Sequence, residues 1–112
     1  MVILLHGEMG AGKTTYVINE MKKLCPDANV TSPTFTIINQ YAPNIFHADL
    51  YRIKDMSELY NTDFFEILYG ENIFYIEWPY NNVDKAIYEK CKNIKNVHIE
   101  VVSENKRKII IN

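Results

Sequence analysis

The residues with the most chemistry in them stand together near the start of the chain. Gly7-Glu8-Met9-Gly10-Ala11-Gly12-Lys13-Thr14 satisfies the G-x-x-x-x-G-K-[ST] pattern of a phosphate-binding loop. Glycines so spaced let the main chain wrap closely around an anion, with successive N–H groups pointing at phosphate oxygens. A helix beginning where the loop ends would aim the positive end of its dipole at the same anion. Lys13 is then placed to reach the β- and γ-phosphates of a nucleoside triphosphate, and the Thr14 hydroxyl to ligate Mg²⁺. The run Glu8, Met9, Gly10, Ala11, Gly12, Lys13, Thr14, Thr15 is the expected phosphate cradle. A glycine-rich turn that carries Lys-Thr by chance is the competing reading, and the segments on either side argue against it.

A metal held by a phosphate loop needs a second anchor, commonly a carboxylate at the end of a neighbouring apolar strand. Asp49, after Ile45-Phe46-His47-Ala48, and Glu77, after Ile73-Phe74-Tyr75-Ile76, both have that placement. Strand ends are where ligands sit in open α/β sheets. Lys13, Asp49 and Glu77 are thus the expected catalytic residues, with Thr14, Glu77 and Asp49 at the metal. Which carboxylate is the main ligand and which orients an attacking water is open at this level. His47 is expected on the strand face opposite Asp49, where core packing competes evenly with a part in the site.

The elements that must position these residues follow from periodicity. Val2 to Leu5 is a short continuous apolar run, the pattern of a strand buried on both faces. After the loop, Val17, Ile18, Met21 and Leu24 give one apolar helical stripe, stopped by Cys25-Pro26-Asp27. Phe35 to Tyr41 reads as a strand, Ala42-Pro43-Asn44 as a turn, and Ile45 to Leu50 as a strand running back. Lys54 to Tyr60, with Asp55 or Ser57 as cap, and Asp63 to Tyr69 read as short helices. Ile73 to Ile76 is a further apolar strand, Asp84 to Lys92 a helix, and Val97–Val102 with Lys108–Ile111 a hairpin turning near Glu104-Asn105. The sum is an α/β fold of the P-loop NTPase kind, a mixed sheet with a parallel centre and antiparallel additions flanked by helices. At 112 residues, 1–112 is read as a single domain.

Composition narrows the partners. A net charge of −2 excludes a protein that grips nucleic acid by bulk positive charge. Residues 1–84 carry 5 basic and 11 acidic side chains, residues 85–112 carry 7 and 3, so the C-terminal part alone is basic. Cys25 and Cys91 have no metal-ligand spacing and are too few for a disulfide framework, and they read as reduced thiols of a cytoplasmic protein. No run approaches the roughly 20 apolar residues of a membrane span. Tyr60, Tyr69, Tyr75, Tyr80 and Tyr88 lack interleaved basic residues, which favours packing over RNA stacking. For Lys106-Arg107-Lys108, contact with the nucleotide or RNA competes with the commoner reading of a solvated hairpin.

Four blocks in fixed order, G-E-M-G-A-G-K-T-T from Gly7, S-P-T-F-T from Ser32, H-A-D-L-Y-R from His47 and I-E-W-P from Ile76, resemble the TsaE family of small P-loop ATPases in bacterial tRNA threonylcarbamoyladenosine synthesis. The resemblance covers residues 1 to about 79. It implies binding of Mg-ATP, with Thr14 and Glu77 near the metal and Asp49 in metal binding and hydrolysis. It also implies that Ser32, Pro33, Thr34, Phe35 and Thr36 form a switch-like loop near the γ-phosphate. The implied partners are the TsaB–TsaD pair, with tRNA met only indirectly or through that complex, and the implied role is ATP hydrolysis supporting modification of adenosine 37 in tRNAs that read ANN codons. Family members carry about 25 further residues before this strand, so either the adenine pocket is more open here, or the C-terminal hairpin holds the base, or the sequence is short at its start. Two other functions share the loop: a non-catalytic ATP-sensing docking module, and a small-molecule kinase, for whose lid only Arg52 and Arg107 are available.

Overall fold

The computed structural model describes residues 1–28 and 37–112 of the chain. Six strands, β1 (Val2–His6), β2 (Ile38–Ala42), β3 (Ile45–Asp49), β4 (Ile73–Glu77), β5 (Ile94–Ser103) and β6 (Lys106–Ile111), form one sheet in the order β2-β3-β4-β1-β5-β6. The inner four run parallel, β3 with β4, β4 with β1 and β1 with β5. The two outer strands are antiparallel additions, as expected. The apolar run at Val2–Leu5 explains the centre: a strand with parallel neighbours on both sides and helices over both faces can expose neither face, and Leu4 and Leu5 are wholly buried.

Side chains alternate across the sheet and divide the core in two. On one face Val2, Leu4, Phe74 and Ile76 pack under Phe64 and Leu68 of helix α2 (Phe64–Tyr69) and Val83 and Ile87 of helix α3 (Val83–Lys90). On the other, Ile3, Leu5, Tyr75, Val97 and Ile99 are covered by Val17 and Met21 of helix α1 (Lys13–Leu24). Each such fully buried aliphatic side chain contributes about 1.5–3 kcal/mol relative to exposure.

Two local expectations are corrected. Leu24 does not extend the stripe of α1 but is 48% exposed, while Cys25 packs on the cluster instead. Counting by fours from Val17 and Met21 leads to position 25, so Leu24 falls off the line. The short helix expected over Lys54–Tyr60 is a 3₁₀ helix confined to Met56–Leu59. Asp55 caps it, its carboxylate accepting from the Ser57 N–H while Glu58 accepts from the Asp55 N–H. The Thr62 hydroxyl donates to the Leu59 carbonyl and accepts from the Phe64 N–H, closing that turn and starting α2 two residues later.

β5 is the longest strand. Its first half pairs with β1 as far as His6–His98, and its second half pairs only with β6. Residues 99–103 therefore run on past the end of β1, alongside the loop that begins at Gly7.

Candidate phosphate and cation site

The loop between β1 and α1 gets its shape from its glycines. Gly12 caps α1 with φ 108°, a left-handed conformation costly to any residue with a side chain. A Cβ on Gly7 would stand 2.8 Å from the Ile99 carbonyl oxygen and 3.2 Å from the Ala11 Cβ, so only glycine lets β5 pass this close. The Ala11 N–H donates to the Glu8 carbonyl, 3.0 Å, and closes the loop. Lys13, in the first turn of α1, is 5% exposed and folds back over it, donating to the carbonyls of Gly7 (2.7 Å) and Glu8 (3.0 Å). Its ammonium also lies 4.1 Å from the Trp78 ring centroid, a cation–π contact. Trp78 is itself held at φ 57°, the kind of strained backbone that collects at functional sites.

The two predicted carboxylates arrive side by side. In the β3–β4 ladder Asp49 stands opposite Glu77, and Glu77 stands opposite Leu5 of β1. Glu77 is 2% exposed. The Thr14 hydroxyl lies 3.1 Å from each of its oxygens, and Nε2 of His47 lies 2.5 Å from Oε2. Asp49 is less enclosed and accepts the Tyr51 N–H at 3.0 Å. Lys13, Thr14, Asp49, Glu77 and Trp78 line a cavity of about 450 Å³.

Burial sets the electrostatics. Loss of hydration lowers the Lys13 pKa, against the pull of Glu77 and Asp49 in the other direction. It raises the Asp49 pKa, opposed by the Tyr51 N–H and reinforced by the nearby Glu77. Two carboxylates crowded beside one ammonium are an arrangement that a divalent cation would relieve. The donors facing the cavity, one hydroxyl and two carboxylates, are all hard oxygens, which suit Mg²⁺ rather than a thiophilic metal. Among the described residues no three His, Cys, Asp or Glu side chains are arranged to hold a metal by themselves.

Lys13, Thr14, Asp49 and Glu77 are therefore brought together as expected from the sequence. The switch-like loop Ser32, Pro33, Thr34, Phe35, Thr36 lies outside the described residues. His47 departs from expectation: residues two apart on a strand share a face, so it points with Asp49 to the loop side. Arg107, in a hairpin segment whose commoner reading is solvated, instead donates through Nε to the Ala11 carbonyl at 3.0 Å. Its Nη1 reaches the carbonyls of Ser103 (3.0 Å), Glu104 (3.4 Å) and Lys106 (3.2 Å), tying the hairpin tip to the phosphate loop. A lone arginine between two lysines carried no sequence signal of that role. The long alternating segment that brings it there did.

The sequence profile of a family described as "Threonylcarbamoyl adenosine biosynthesis protein TsaE" matches residues 1–109. Curated relatives bear the name tRNA threonylcarbamoyladenosine biosynthesis protein TsaE. The Rickettsia felis relative is 37% identical over 110 residues, covering 95% of this chain and 61% of that protein. The Rickettsia prowazekii relative is 36% identical over 113 residues, covering 88% of this chain and 78% of the relative. The Aquifex aeolicus relative is 37% identical over 115 residues, covering 98% of this chain and 75% of the relative. The chain thus spans about three-fifths to four-fifths of the length of these proteins.

Proposed function

Since the chain belongs to the TsaE family of tRNA threonylcarbamoyladenosine biosynthesis proteins, we propose that it is a Mg-dependent ATPase that acts in that modification together with the TsaB–TsaD pair. The observation that carries this reading is the Thr14 hydroxyl set 3.1 Å from both oxygens of a buried Glu77, beside a Lys13 folded onto the phosphate loop. Hydroxyl, carboxylate and ammonium are the parts from which a triphosphate and its metal are held.

The loop N–H groups of residues 8–15 would wrap the phosphates, and Lys13 would swing from its carbonyl partners to the β,γ end. Thr14, Glu77 and Asp49 would hold Mg²⁺, which supplies charge neutralisation to the transferring phosphoryl group. Asp49, exposed to the cavity and with its pKa raised, is the better placed of the two carboxylates to orient the attacking water. Glu77, enclosed by Thr14 and His47, is the better cation ligand. The loop amides and Lys13 then face the charge that spreads onto the γ-phosphate oxygens in the transition state.

The nucleoside would lie over the far side of the loop. A second cavity, of about 420 Å³, shares Gly10, Gly12 and Thr15 with the first and opens onto Tyr16, Asn105 and Ile109. A third, beside His6 and His98, shares none of the first cavity's lining residues. The free thiols of Cys25 and Cys91 support a cytoplasmic location, and no helix among the described residues is long and apolar enough to cross a membrane.

The test is steady-state Mg-ATP hydrolysis by the protein alone and with the TsaB–TsaD pair of its source organism, with Lys13→Ala as blank. A slow Lys13-dependent rate that rises with the pair is expected, and the variant should lose on the order of 10²–10³-fold, as for removal of a key electrostatic donor. Nucleotide binding without Lys13-dependent turnover in either mixture would replace this reading with that of a sensing module.

A further inference from the structure

We propose that His47 is a positioning residue: it holds the Glu77 carboxylate turned toward Thr14 and so prepares the cation site before nucleotide or cation arrives. The inference rests on the reading of this site as one for a Mg-nucleotide. His47 is 1% exposed, one of three buried polar or charged side chains among the described residues, and the other two are Lys13 and Glu77. The β3–β4 register sets His47 opposite Tyr75 and Asp49 opposite Glu77. The imidazole thus reaches diagonally along the loop-side face to meet the carboxylate, Nε2 to Oε2.

The hydrogen-bond chemistry gives the contact a direction. An ionised carboxylate only accepts, so Nε2 carries the hydrogen. In the neutral ring Nδ1 is then an acceptor, and the Tyr41 hydroxyl, 3.3 Å away, is placed to donate to it. Tyr41, His47 and Glu77 form a line of donors running from β2 through β3 to β4. The Thr14 hydroxyl contributes one hydrogen to two oxygens at equal distance, 3.1 Å, and so does not select between carboxylate orientations. His47, bound to Oε2, does select. It leaves Oε1 as the oxygen with less hydrogen bonding and the one offered to a cation. Partners behind a metal ligand act in this way, fixing its orientation and its basicity. A histidine that merely filled space would have no need to reach the one carboxylate that also touches Thr14.

The experiment uses Mn²⁺ as probe, its binding to the ADP complex followed by electron paramagnetic resonance, with ADP affinity measured separately in EDTA. His47→Leu, similar in volume and without a donor, is expected to weaken Mn²⁺ binding about 10- to 100-fold and to leave metal-free ADP affinity unchanged. His47→Gln, whose amide N–H reaches a similar depth, should restore most of the loss. Unchanged Mn²⁺ affinity in folded His47→Leu overturns the proposal. So does an equal loss in metal-free ADP binding, or a folded His47→Gln no better than His47→Leu. Should His47→Leu not fold, proton NMR decides: the His47 Nε2 proton is expected far downfield and should move upfield in Glu77→Gln, and an identical position in both proteins overturns the contact. ADP binding indifferent to Lys13→Ala would instead sink the nucleotide reading, and the role of His47 with it. Lys13-dependent binding combined with Mn²⁺ affinity indifferent to His47 would sink the role alone.

Discussion

The loop side of β1, β3 and β4 and the hairpin of β5 and β6 depart from ordinary globular architecture in opposite senses. In the first, charged and polar groups are buried: Lys13, His47 and Glu77 are 5%, 1% and 2% exposed. In the second, apolar groups stand in water: Val102, Ile109 and Ile111 are 61%, 49% and 50% exposed. Lysine and glutamate are almost never buried unless paired, and here they are. No buried side-chain nitrogen or oxygen among the described residues lacks a partner. The hairpin has no such internal compensation. Its outer strand β6 has one neighbour in the sheet, and its connection to the rest of the site is the Arg107 guanidinium on the Ala11 carbonyl. The difference teaches that polar groups can be buried at a site only as a mutually bonded set, whose members fall together. Exposed apolar groups are individually dispensable to the fold.

That contrast can be broken in three places. The largest effect is expected from Glu77→Ala, which strands His47 and Thr14 and deprives buried Lys13 of its nearby countercharge. A loss of about 3–5 kcal/mol, typical of breaking a buried pair from one side, should appear in urea denaturation as a lower midpoint with an unchanged slope. A loss below 1 kcal/mol would mean that the buried set is not interdependent. Next is Arg107→Ala, which cuts the charged tie between hairpin and loop. Isothermal titration should show about tenfold weaker nucleotide binding, the scale of one hydrogen bond from a charged group, with the fold intact by circular dichroism. An unchanged affinity would make the two regions independent. The smallest is Ile110→Thr, on a side chain 37% exposed, where stability should stay within about 0.5 kcal/mol. A larger loss would show that the hairpin's apolar residues belong to the core after all.

Much of this was legible in the sequence, and for identifiable reasons. A strand, a glycine loop and a helix leave dense local signals: an apolar run, fixed glycine spacing, a period near four. Asp49 and Glu77 were visible because each follows such a run, and the parallel ladder then made them neighbours across β3 and β4. The partnership of His47 with Glu77 is set by the pairing of strands 30 residues apart, which one-dimensional spacing does not contain, and its face was misassigned by a slip of one in the two-residue period. Arg107 bonds to a carbonyl 96 residues away, and a carbonyl leaves no trace in residue type. The short helix expected over Lys54–Tyr60 closes within Met56–Leu59, because cap residues such as Asp55 mark where a helical turn begins but not how soon it ends.

The place of β1 in the sheet also sets the order of events at birth. It is made before the other five strands, yet its partners are residues 74–77 on one side and 94–98 on the other. During synthesis the phosphate loop therefore emerges early and waits, without the strand whose carbonyl at Ile99 crowds Gly7 and without the arginine that ties down Ala11. Closing contacts so distant in sequence is entropically slow. A nascent chain halted before β5 would carry the whole Gly7–Thr14 sequence but not the scaffold that shapes it. The folded shape of that loop should thus appear late and together with the rest of the fold, not with the synthesis of its own residues.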